Sequence, residues 1–171
     1  MTNLRQLREN PSKREGRVCA LVFPLTDSFG PRHLPITPFR YYLMINGIFW
    51  NIRGVAKAPN LRRLIKLVKS HQAKFVAICE PKLDVSRIES IRLRLNFDFV
   101  LVNCSGDIWV FYNSPFVCSK VGNSCKHLSL FVQSPLMPGS IIMSFVHAKC
   151  SVEERRELWS NLVADKPSSL Q

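Results

Sequence analysis

The chain has 171 residues, with 24 Lys+Arg against 12 Asp+Glu and a formal net charge of +12. A hydrophobic share of 46% and an aromatic share of 10% exclude wholesale disorder, and seven Gly without a triplet period exclude collagen. No stretch of about 18 uncharged apolar residues is present, so no membrane-spanning helix and no membrane partner are expected.

So basic a surface attracts polyanions, nucleic acid first among them. The six Cys (Cys19, Cys79, Cys104, Cys118, Cys125 and Cys150) form no CxxC pair. Three of them end apolar, strand-like runs, where a free thiol packs as a small hydrophobe. They are read as reduced thiols of an intracellular protein, nuclear or cytoplasmic and not secreted. A zinc site from Cys118, Cys125 and His127 is the metal alternative, but its spacing matches no common finger.

In chain order, residues 1–42 come first. They hold five of the eleven Pro, and 7 Lys+Arg against 3 acids. The segment is expected to be a basic, mostly irregular tail, with VCALVF its one strand-like stretch and PITPF extended. The apolar part of VCALVFPL is too short for a secretory signal, and Pro24 breaks it.

A domain is expected over 43–166, followed by a short tail, 167–171. Tyr41 to Trp50 reads as a buried strand, left by the turn Asn51-Ile52-Arg53-Gly54. Pro59 suits a first helical turn. Leu61, Leu64, Ile65 and Val68 then repeat at helical spacing, with Arg62, Arg63, Lys66 and Lys69 mainly on the other side, to about His71. Phe75 to Cys79 is a second strand, Val85 to Leu95 a second helix and Phe97 to Val102 a third strand. Four more strands are read at Asp107–Tyr112, Phe116–Val121, His127–Val132 and Ser140–Ala148. Ser151 with Glu154 has the spacing of a capping box and opens the last helix, which Lys166-Pro167 stops. This order predicts an α/β fold with a mixed sheet and the three helices on one face. The other face has no evident cover, leaving Trp109, Phe111 and Phe145 without a partner surface.

Two polar residues stand where apolar strands end: Asn51 after GIFW and Glu80 after FVAIC. Ligand sites of open α/β sheets lie at the carboxyl ends of strands. If the two strands are neighbours, an amide and a carboxylate converge there, with Lys82 and Arg53 beside them. Such a carboxylate suits a hard cation such as Mg²⁺, although a strand-end Glu is ordinarily just solvated.

Four segments in order, FWNIRGVAKAPNLRRLIKLV, VAICEPKL, NCSGDIWVFYN and FVHAKCSVEERRELWSNL, resemble the endonuclease/exonuclease/phosphatase superfamily. The closest likeness is to the apurinic-type endonuclease domain of plant LINE-type retrotransposons. The resemblance covers about residues 44–166 and implies a DNase I-like, four-layer α/β sandwich of which only the N-terminal half is present. It implies Mg²⁺-dependent hydrolysis of nucleic-acid phosphodiesters, DNA rather than RNA. It makes Asn51 an active-site Asn, Glu80 the metal-binding Glu, His147 a scissile-phosphate contact or general acid, and Arg156 a structural Arg. Arg53, Lys82, Arg62 and Arg63 are the expected nucleic-acid contacts, with Lys66, Lys69 and the Arg87/Arg92/Arg94 helix as further candidates.

The family's GDxN and SDH motifs, which position and activate the attacking water, occur nowhere in the sequence. Asp84, Asp98 and Asp107 are the only spare carboxylates of the region. Losing a general base removes about 10²–10⁴ in rate. The chain is therefore expected to be inactive in this form, unless a second chain supplies the missing half. The alternatives are a non-catalytic nucleic-acid-binding fragment and a retroelement relic without selected function.

Overall fold

A computed structural model describes residues 17–23, 43–137, 139–147 and 151–165. Its elements are β1 (Arg17–Phe23), β2 (Leu43–Asn51), α1 (Ala58–His71), β3 (Phe75–Cys79), α2 (Ile88–Leu95), β4 (Phe99–Val102), β5 (Ile108–Tyr112), β6 (Val117–Asn123), β7 (His127–Gln133), β8 (Ile141–Val146) and α3 (Val152–Ala164). A 3-10 turn, Val85–Arg87, leads into α2. No described helix is long and apolar enough to cross a membrane. Over the described residues the fold is mixed α/β, with two sheets and three helices.

The first sheet has the order β1-β2-β3-β5-β4. β2 and β3 are parallel, as a strand–helix–strand crossover requires, and the other neighbours are antiparallel. VCALVF thus forms the edge strand β1 inside a segment expected to be mostly irregular. PITPF and the tail 167–171 lie outside the described residues, as does Cys150.

The alternation of side chains along each strand sorts the core into two layers. Ile48 and Trp50 of β2, Val76 and Ile78 of β3, and Trp109 and Phe111 of β5 pack with Leu61 and Leu64 of α1 and Ile88, Ile91 and Leu95 of α2. Ile45, Phe75, Ala77, Cys79, Ile108, Val110 and Tyr112, from the same three strands, pack with Leu128, Leu130 and Val132 of β7 and Met143 of β8.

The expectation of an uncovered sheet face is therefore wrong. β6, β7 and β8 form a second, three-stranded sheet that covers it. Trp109 and Phe111 are fully buried, facing α1 and α2, and Phe145 sits with its ring 6.4 Å from that of Phe49, across the two sheets. Nor do all three helices share one face. α3 and the turn after it bond to the second sheet through Lys126–Glu157 and His127–Asp165. The error is physical in origin: an apolar strand run states burial, whereas which sheet it joins depends on pairing between distant segments.

Candidate functional site

The parallel register places Asn51 opposite Cys79, so Asn51 and Glu80 leave the sheet side by side at the carboxyl ends of β2 and β3. The two loops that follow are laced together. Ile52 N–H donates to Cys79 O, Gly54 N–H to Glu80 O and Val55 N–H to Pro81 O, at 2.8–3.0 Å. Four residues in these loops have left-handed backbone: Arg53, Gly54, Glu80 and Lys82. For a side-chain-bearing residue this costs of order 1–3 kcal/mol, and it persists where surrounding bonds over-determine it. At Glu80 those bonds are visible, since its N–H donates to Asp107 O and its C=O accepts from Gly54.

Two donors converge on one oxygen of Glu80. Asn51 Nδ2 lies 2.8 Å and His147 Nε2 3.0 Å from Oε1. His147 comes from the end of β8, 67 residues along the chain, and its backbone N–H is held by Lys126 O. Its imidazole is well shielded and the Glu80 carboxylate about a quarter exposed. The Asn51 amide, more than any other contact, holds the Glu80 carboxyl below its usual range. Burial, next in size, opposes it, and the His147 hydrogen bond, the imidazole's charge and the Arg53 guanidinium each add a lesser effect in the same direction as the amide. Glu80 is thus kept ionised, and Oε2 bears no hydrogen bond from the described residues. Since Asn51 donates through Nδ2, its Oδ1 is also left as an oxygen donor.

The other sequence candidates fall in different places. Arg53 lies close enough to act on Glu80, while Lys82 is exposed in the loop beyond it. Arg63 is half-buried with its guanidinium 5.7 Å from the centre of the Trp50 ring, a cation–π contact that gives it a packing role. Arg62 is exposed on α1, and Arg156 is exposed on α3. Asp84 caps the 3-10 turn through Ser86, and Asp98 is exposed and accepts from Ser114 N–H, so neither stands beside Glu80 in a hydrogen bond. Asp107 meets the site through its carbonyl.

The zinc alternative does not assemble. Both nitrogens of buried His127 are taken, Nδ1 by Ser124 Oγ at 2.7 Å and Nε2 by Asp165 Oδ2 at 2.8 Å. Cys118 packs against the inter-sheet core and Cys125 is exposed. Among the described residues no group of three or more His, Cys, Asp and Glu is placed to hold a metal ion.

Asn60 is a site-shaping residue that the sequence did not single out. Its Nδ2 donates to Ile52 O and Gly54 O, pinning the loop after β2 to the start of α1. The one available signal was its place beside Pro59 in the first helical turn.

Comparison with protein-family models finds no match, and no curated protein is similar to the chain.

Proposed function

We propose that Asn51, Glu80 and His147 form the phosphate-engaging part of a Mg²⁺-dependent phosphodiesterase centre of the endonuclease/exonuclease/phosphatase type, on a partial DNase I-like sandwich, with nucleic acid as its ligand. The observation that carries this reading is the convergence on Glu80 Oε1. Three residues named from three separate segments, with the spacing 51, 80 and 147, meet at one carboxylate. A satisfied core cluster would be buried, whereas Asn51 is exposed and the Glu80 carboxylate about a quarter exposed.

Mg²⁺ keeps several waters and is bound through one or two carboxylates plus substrate phosphates. A single ionised carboxylate with an adjacent amide oxygen fits that habit. Glu80 Oε2 and Asn51 Oδ1 are the residues' oxygen donors for it, and the ion would supply charge neutralisation on the phosphoryl oxygens. His147, whose Nε2 is hydrogen-bonded to Glu80, would contact a phosphate oxygen through Nδ1. Hydrolysis further needs an activated water. No carboxylate among the described residues pairs with His147 other than Glu80, and the sequence has no GDxN or SDH motif. The reading is therefore binding of a phosphodiester without its cleavage by these residues alone.

Titration of the chain with Mg²⁺, followed by NMR of the Glu80 side-chain carboxyl and the Asn51 side-chain amide, tests the centre. Saturable shifts, lost in Glu80→Ala, are expected. Unchanged resonances at high Mg²⁺ would exclude it. Plasmid DNA should stay supercoiled in the same conditions, and nicking that disappears in Glu80→Ala would overturn the non-cleaving part.

A further inference from the structure

The C-terminal ends of α1 and α2 leave a cleft of about 220 Å³ beside the start of β3 and the end of β5, at the opposite end of β3 from Glu80. Its apolar floor includes Val68, Ala73 and Leu95, and its rim carries Lys69, Lys74 and Arg94 together with Asn113. No carboxylate lines it. All three cations are exposed, and none makes a side-chain hydrogen bond or ion pair with the described residues. Asn113 Oδ1 is occupied, accepting from Asp98 N–H at 2.8 Å, so its Nδ2 remains a donor. The nearest acid by sequence, Asp98, is turned to Ser114 N–H.

Cations in the last turn of a helix offset the negative end of its dipole, which accounts for Lys69 and Arg94 taken singly. It does not account for Lys74, which lies outside both helices, nor for a rim with donors and no acceptor side-chain charge. Like charges crowded on one concave surface repel, and an anion between them relieves the repulsion. Lys69 and Lys74 supply mobile point charges, while Arg94 supplies a planar fork matched to two oxygens of one tetrahedral anion.

We infer that this cleft is a binding site for a phosphate group, separate from the Glu80 centre and independent of the function proposed for it. The phosphate belongs either to a small free ester or to a nucleic-acid backbone, and the two sources share the same chemistry.

The test is backbone amide NMR of the full chain, titrated with sodium phosphate and, in parallel, with sodium chloride at matched ionic strength. Saturable shifts in residues 69–74, 94–96 and 113 with phosphate only are expected. The Lys74→Gln/Arg94→Gln variant should bind at least about tenfold more weakly. Both residues are exposed, so an unchanged spectrum elsewhere will show that the variant is folded. Shifts that are linear and equal in chloride, or that survive unchanged in the variant, overturn the site. A short single-stranded oligonucleotide as the second probe separates the sources. Perturbation of the same amides identifies a backbone phosphate, and perturbation by inorganic phosphate alone identifies a small ester.

Discussion

Glu80 is the residue on which the chemistry turns, and Asn51 is its main electrostatic support. Removing the amide in Asn51→Ala should let the Glu80 carboxyl titrate closer to its usual range, as read by NMR of the side-chain carboxyl. A shift in the opposite direction, or none, would show that the bond is not formed in solution. The sign for stability follows from linkage. Because the folded carboxyl lies below its unfolded value, its contribution is complete above the usual carboxylate range. That contribution is lost as pH falls through the depressed value. Asn51→Ala should therefore flatten the acid limb of the stability profile. The thiols give a second residue-scale test. Burial pushes Cys79 up to about 12, with the Glu80 and Asp107 charges adding to it, and burial alone takes Cys118 to about 12. Cys104 and Cys125 are exposed. Alkylation at mildly alkaline pH should mark Cys104 and Cys125 quickly and leave Cys79 and Cys118 until the chain unfolds, since the thiolate is the reactive form. Rapid labelling of Cys79 in the folded chain would contradict the inter-sheet core.

At the scale of elements, the β6–β7 hairpin and α3 are joined by a buried polar chain as well as by the exposed Lys126–Glu157 ion pair. Ser124 Oγ accepts from the N–H groups of Lys126 and His127, which leaves its proton for His127 Nδ1 and directs Nε2–H to Asp165. Asp165 lies directly over Gly122, where the register of β6 and β7 shifts, and a methyl group there would collide with its carboxylate. Gly122→Ala should displace Asp165 and leave a buried imidazole donor unpaired. Such a loss costs about 1–3 kcal/mol. Denaturant unfolding measures it, and a variant as stable as the parent would show that α3 is held in some other way. The same hairpin supports the site, because Lys126 O receives His147 N–H. A loosened hairpin should therefore also broaden the His147 resonances.

For the whole molecule, one sheet is packed on both faces by different partners. Leu64 of α1 belongs to the helix-side layer and Leu130 of β7 to the inter-sheet layer, and both are fully buried. Leu64→Ala and Leu130→Ala should each destabilise by about 2–5 kcal/mol, the usual cost of an unfilled core cavity. If the second sheet were only loosely attached, Leu130→Ala would be nearly silent in the same unfolding experiment. The sequence by itself determined the elements, because helical and strand periodicities are local properties of a few consecutive side chains. α1 ends at His71 and β3 spans Phe75–Cys79 as their patterns require. It also marked Asn51 and Glu80, since a polar residue closing an apolar run is visible without knowing its neighbours. His147 was visible only through resemblance, as nothing in VHAKC announces a partner 67 residues away. Tertiary structure alone decided that β5 enters the first sheet while β6, β7 and β8 build another. It also decided that Arg63 covers Trp50 and that an amide and an imidazole share one carboxylate oxygen. The reason is that strand pairing and side-chain convergence are set by contacts between segments far apart in the chain, and no local pattern encodes which distant segment will be the partner.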